Sequence, residues 1–195
     1  GPLASQRIGI SIIYQELNVL NNLNIAENLF VGREKVGKNG LVDRQRTHRE
    51  ARALLDEVKL SLDTRTLMGR LSTAQKQMVE VARALSFNAR LIIMDEPTSS
   101  LTDTETRTLF DITRRLKERG VAVVFISHRM AEIFQISDRV TVMRDGQMIT
   151  SLDTADTNEA EIISAMVGRE VDSLYDKSDA EIGETALEVK NLSSR

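Results

Sequence analysis

Leu91-Ile92-Ile93-Met94-Asp95-Glu96-Pro97 is the stretch on which the fold of this chain turns. Four apolar residues in a row form a run too short for a helix, as expected of a strand covered on both faces. Two carboxylates and a proline then stop it. Upstream, a helix opens at Ser72 and buries Met78, Val81, Ala82 and Leu85 at helical spacing. Downstream, Thr102-x-x-Glu105 caps a long helix that ends at Gly120, with Leu109, Ile112 and Leu116 on its inner side. Val121–Ser127 (VAVVFIS) is a second apolar strand, and a helix follows at about Met130–Ile136. Strand, helix, strand, helix predicts an α/β fold with a parallel sheet.

The rest of the chain reads outward from that core. Ile8–Tyr14 alternates and is β-branched, so it predicts a strand. Asn24-x-x-Glu27 is a capping box before a short helix that stops at Gly32, and Ala51, Leu54, Leu55 and Val58 mark a helix from Asp43 to about Leu60. Arg139–Met143 and Gln147–Thr150 flank Asp145-Gly146, a hairpin turn. Glu159–Val167 is a last helix with Gly168 past its end. The expected organisation is residues 1–5 as a cloning remnant outside the fold, 6–168 as one domain with a helical subdomain at about 17–90, 169–185 as a linker, and 186–195 as the start of a second domain.

Bulk properties exclude several classes. There is no cysteine, so disulfides, thiolate metal sites and cysteine nucleophiles are out. A net charge of -3 advertises neither nucleic acid nor an anionic membrane. The longest apolar runs are far too short to cross a bilayer, so any membrane role would act through a partner.

Four short segments carry candidate chemistry. In open α/β sheets, ligands bind at the carboxyl ends of strands. A strand delivering Asp95 and then Glu96 to that edge suits a magnesium–nucleotide site, one carboxylate on the metal or its waters and the next on an attacking water. The same residues would also serve as a solvated acidic turn. Leu71-Ser72-Thr73-Ala74-Gln75 opens a helix; Ser72 and Gln75 form a capping box, and a capped helix start is also a ready anion site. His128 follows the Val121–Ser127 strand, where a histidine can donate to a phosphate or simply sit in solvent. Gln15 follows the Ile8–Tyr14 strand, as a polar loop residue or as an amide near a metal-bound water. His48, on a charged helix, reads as solvated.

Taken in order, these segments resemble the nucleotide-binding domain of the ABC ATPases. Gln15, LSTAQ at 71–75, LIIMDEPTSSLT at 91–102 and His128 after VVFIS look like that family's Q-loop, signature motif, Walker B strand with D-loop, and switch histidine. YQELNVLNNLNIAENLFVGRE, ISHRMAEIFQISDRVTVMRDGQ and MVGRE resemble the first of two fused ATPase domains in bacterial importers of simple sugars. The fold implied is a P-loop NTPase-like ABC domain in part: the helical subdomain plus an incomplete parallel-sheet core.

By that resemblance Asp95 would hold Mg²⁺ through water, Glu96 would be the general base, and His128 would contact the γ-phosphate of ATP. Gln15 would sense metal and water. Ser72, Thr73, Ala74 and Gln75 would cap ATP bound to an opposing domain. The implied partners are transmembrane permease subunits, a second ATP-binding domain and, indirectly, a periplasmic sugar-binding protein, with no nucleic acid. The implied place is the cytoplasmic face of the bacterial inner membrane.

Two departures from the family pattern stand out. No G-x-x-x-x-G-K-[ST] occurs in the chain, so it reads as a fragment cut downstream of the phosphate loop and unable to bind ATP normally. Thr73 and Ala74 stand where the family usually carries two glycines, which allow closer approach to a phosphate. An incomplete sheet leaves an exposed edge, so self-association is expected, with Ala186–Leu192 as a borrowed strand. Two other readings compete. A DNA-repair or chromosome-type ATPase lacks support, because no sustained heptads lie between Gln15 and Leu71. A nucleotide-independent adaptor has no need of Asp95, Glu96 and His128 together.

Overall fold

The computed structural model describes residues 2–37, 39–168 and 190. Its elements are α1 (Pro2–Arg7), β1 (Ile10–Ile13), α2 (Ile25–Phe30), α3 (Arg44–Glu57), α4 (Thr73–Leu85), β2 (Leu91–Asp95), α5 (Asp103–Glu118), β3 (Ala122–Ile126), α6 (Met130–Ile136), β4 (Arg139–Arg144), β5 (Gln147–Asp153) and α7 (Glu159–Val167). They form two bodies, one ending at Ser137 and the other starting at Asp138.

The first body is built on a parallel sheet in the order β1-β2-β3. Ile13 is level with Met94, and Met94 with Phe125, so the three strands finish at the same height. Side chains alternate across a sheet. One face therefore carries Ile13, Ile92 and Met94, all buried, with Val123 and Phe125 packed beside them. Phe110 of α5 meets Phe125 edge to face, with centroids 6.0 Å apart. The other face leaves Ile12, Val124 and Ile126 exposed, the last two at 46%. The sequence expectation of a strand covered on both faces is thus met on one face only. Ile92 and Met94 are buried while Leu91 and Ile93 are half-buried, because the core built by the helices lies on the Ile92 side.

The helical part forms as the caps predict. Asn24 and Ser72 each close a full capping box, and Asp43 caps α3 by accepting from the Arg46 N–H. Ile25, Leu29, Ala51, Leu55, Met78 and Val81 make their common core. Asn28 is buried here and fully engaged. Its Oδ1 accepts from the Leu20 N–H at 2.8 Å, and its Nδ2 donates to the carbonyls of Leu20, Leu23 and Asn24. The loop that follows Gln15 is thereby pinned to α2. Arg33 stacks 3.7 Å over the Phe87 ring and donates to Ser86 Oγ, joining the ends of α2 and α4.

Residues 2–5, set outside the fold on sequence grounds, belong to α1, whose first residue is Pro2. Proline is well placed there, since a first-turn N–H has no intrahelical partner. The second body contains the β4–β5 hairpin and α7. Asp145 and Gly146 both take positive φ, +52° and +75°, the pattern of the two-residue turn that suits strand twist. β5 runs on to Asp153, past the expected end at Thr150, because Leu152 pairs with Val140 and Asp153 with Arg139. The linker reading for 169–185 and the strand reading for Ala186–Leu192 lie outside the described residues.

Two predictions follow from the helical core. Asn28→Leu leaves the Leu20 N–H and several carbonyls without their partner, and should cost about 1–3 kcal/mol in a urea melt; an unchanged midpoint would refute the pinning role. Burial pushes the Glu80 carboxyl above its usual 4.5, with Arg83 at 3.3 Å pulling the other way. The folded state then keeps this proton longer than the unfolded state does, so Glu80 lowers stability as pH rises from about 4.5 through the raised value. Melts of Glu80→Gln and the parent across that window should diverge in the variant's favour as pH rises. A constant gap would contradict this.

Candidate functional site

The level strand ends bring three sequence candidates together. Gln15 leaves β1, Glu96 leaves β2 and His128 leaves β3, all at the carboxyl edge. Gln15 Nε2 donates to Glu96 Oε2 at 3.1 Å. His128 Nδ1 lies 2.9 Å from Glu96 Oε1. The Glu96 carboxylate is therefore held at both oxygens, with 27% of its side chain exposed, against 69% for His128.

The chemistry of the donors fixes the tautomer. An ionised carboxylate only accepts, so Nδ1 of His128 must carry the proton. Nε2 is then an acceptor in the neutral ring. It can donate to an anion only when the ring is doubly protonated.

The backbone at Glu96 is unusual. Its φ is +44°, in the left-handed region that a non-glycine residue rarely adopts. Such a conformation costs on the order of 1–3 kcal/mol and persists only where its surroundings enforce it. Here the Glu96 N–H donates to the Ile126 carbonyl at 2.9 Å, extending the β2–β3 ladder, and Ser99 N–H returns to the Glu96 carbonyl at 3.2 Å.

Asp95 lies on the opposite side of β2 from Met94, the side of exposed Ile126. It is half-buried, and its side chain makes no hydrogen bond among the described residues. No group of three or more His, Asp or Glu side chains among the described residues could cage a metal ion. One carboxylate without a side-chain partner suits Mg²⁺, which keeps several waters and takes phosphate oxygens as ligands.

The Ser72–Gln75 segment stands apart. Gln75 N–H donates to Ser72 Oγ at 3.2 Å and Ser72 N–H to Gln75 Oε1 at 3.0 Å, so these side chains cap α4. No hydrogen bond or ion pair among the described residues joins residues 72–75 to Gln15, Asp95, Glu96 or His128. Thr73 is exposed. His48, expected in solvent, is half-buried with Nδ1 2.9 Å from Thr64 Oγ1.

Sequence reasoning missed a cluster behind the site. Glu132 of α6 is 5% exposed. Its Oε2 accepts from Thr98 Oγ1 at 2.8 Å and from Ser127 Oγ at 3.0 Å. Arg129 Nη1 lies 2.7 Å from Oε1, an ion pair too poorly aligned to count as a hydrogen bond. The one available signal was a carboxylate on a short, mostly apolar helix soon after His128.

The fold and the sequence match known proteins. The family described as ABC transporter matches residues 2–99, and the chain belongs to that family. Over 194 residues it is 49% identical to a Burkholderia cenocepacia protein named as a ribose/galactose/methyl galactoside import ATP-binding protein, covering 98% of this chain and 38% of the relative. A ribose import ATP-binding protein of Rubrobacter xylanophilus is 47% identical over 193 residues, 99% of this chain and 39% of the relative. The chain thus spans less than half the length of these relatives. An ATP-binding cassette of an ABC transporter in its ADP conformation superposes with a TM-score of 0.66 at 26% identity, over 91% of this chain and 72% of that one. A dimeric cassette bound to ADP and phosphate superposes at 0.67 and 23% identity, over 76% and 64%, and supports the fold alone.

Proposed function

We propose that the chain is part of an ATP-hydrolysing subunit that powers import of a monosaccharide through membrane permease subunits. The observation that carries this is the Glu96 carboxylate held between Gln15 and His128 at the sheet's carboxyl edge, in a chain of this family. Relatives named for ribose and galactose import support the substrate class.

In the proposed reaction Glu96 accepts a proton from water as the water oxygen bonds to the γ-phosphorus. The bond from that phosphorus to the bridging oxygen breaks, leaving ADP and phosphate. The Gln15 contact, at 3.1 Å the longer of the two, is the one to yield to the water. His128 would contact the γ-phosphate. Asp95 would hold Mg²⁺ through water, and the metal when bound offsets charge on the phosphate oxygens. Ser72 and Thr73, exposed at the start of α4, and half-buried Ala74 and Gln75 would face ATP on a second ATP-binding domain. A periplasmic sugar-binding protein would act indirectly, and the subunit would work at the inner face of the membrane. No helix among the described residues is long and apolar enough to cross a bilayer.

Nucleotide binding on this reading needs a phosphate cradle that these residues do not contain, as they hold no G-x-x-x-x-G-K-[ST]. In calorimetry with Mg-ATP, the 195-residue chain should show no binding, and the chain extended with a relative's phosphate-loop segment should bind. Glu96→Gln in the extended chain should keep binding and lose hydrolysis by on the order of 10²–10⁴-fold. Micromolar binding by the unextended chain, worth about 8 kcal/mol, would overturn this reading.

The same proposal includes self-association. β3 pairs with β2 alone among the described residues, and Val124 and Ile126 are exposed beside its free edge. Light scattering should show a dimer that grows with concentration, and Val124→Lys should shift it to monomer. A monomer at every concentration would count against it.

A further inference from the structure

Two turns must hold their spacing for Glu96 and His128 to meet. The first runs from Glu96 through buried Pro97 to Thr98, which is 2% exposed. The second runs from Ser127 into His128. Both turns end on the same atom, because Thr98 Oγ1 and Ser127 Oγ both donate to Glu132 Oε2. Arg129 balances the charge of that buried carboxylate, and its N–H donates to Ser127 Oγ at 3.0 Å. A single oxygen accepting two hydroxyls fixes how far apart the turns can be.

We propose that Glu132 is a positioning residue of the hydrolytic site: its buried carboxylate ties the Glu96 turn to the His128 turn and so sets the separation at which Glu96 Oε1 and His128 Nδ1 meet. The proposal rests on the reading of Glu96 and His128 as the hydrolytic pair. Glu132 touches neither side chain and acts through Thr98 and Ser127. A carboxylate suits the task because one oxygen accepts both hydroxyls while its charge is balanced by the Arg129 guanidinium beside the other. Glutamine can keep the two hydroxyl contacts through its amide oxygen. Leucine at position 132 cannot, and leaves the buried Thr98 hydroxyl and the half-buried Ser127 hydroxyl without that acceptor.

The test uses the fact that the chain has only two histidines. The ring resonances of His128 report the Glu96 contact, and those of His48, held by Thr64, serve as an internal control. Glu96→Gln should move His128 and leave His48 in place. Thr98→Val, Ser127→Ala and Glu132→Leu should each move His128 in the same direction, with Glu132→Gln close to the parent. Adding Glu96→Gln to Glu132→Leu should move His128 little further. If Glu132→Leu does not fold, Thr98→Val and Ser127→Ala decide alone. His128 unmoved in those folded variants, while Glu96→Gln moves it, overturns the proposal. In the chain extended with a phosphate loop, Glu132→Leu should lower kcat by on the order of 10²-fold with KM unchanged, and Glu132→Gln should restore most of it. An equal kcat in both variants also overturns it. An extended parent that hydrolyses no ATP would instead refute the functional reading, and the resonance shifts would still decide the positioning role.

Discussion

The in-step register of three parallel strands is the constraint on which the rest depends. Ile13, Met94 and Phe125 stand level, so residues that leave each strand within a few positions arrive at one edge. Gln15, Glu96 and His128 are far apart in sequence and are brought to one edge by that register. A slip of one residue in any strand would turn its side chains to the opposite face. It would put Met94 in the position of Asp95 and take Glu96 away from its partners. The apolar alternation of β2 therefore specifies the site as well as the core. Burial of Ile92 and Met94 on one face is what directs Asp95 to the other.

The same register accounts for the backbone at Glu96. Continuing the ladder by one bond, from Glu96 N–H to the Ile126 carbonyl, holds this residue to the strand. Pro97, whose Cδ crowds the preceding residue, disfavours the ordinary helical region there. The chain takes positive φ instead. The strain falls at the residue whose carboxylate carries the proposed chemistry, where the packing of Thr98 against Glu132 enforces it from the other side.

Much of this was legible in the residues themselves. The Asn24, Ser72 and Thr102 boxes are local, and each cap forms where its spacing placed it. The carboxylates at 95–96 and the histidine at 128 were legible because an apolar strand ending in polar groups is a local pattern. What stayed hidden was non-local. Gln15 reads as a loop amide until a strand pairing sets it beside Glu96. Thr98, Ser127 and Glu132 have no local pattern at all, since a buried three-way hydrogen bond depends on α6 packing beside two strand ends. His48 failed for the same reason: its partner, Thr64, lies in a loop that helical periodicity cannot locate. The exposed face of β3 was hidden too, because an unbroken apolar run does not say how many of its sides are covered.

Three carboxylates near this edge show how surroundings assign different work to one chemical group. Asp95 keeps its lone pairs free and lies on the open face, so it can take a cation or its waters. Glu96 is held by two donors yet partly exposed, so it can exchange one contact for a water and remain aligned by the other. Glu132 is buried, with two hydroxyls on Oε2 and the Arg129 guanidinium beside Oε1, and it touches neither Glu96 nor His128, so its part is to transmit geometry. Because His128 must present Nδ1–H to Glu96, its other nitrogen can donate only when the ring is charged.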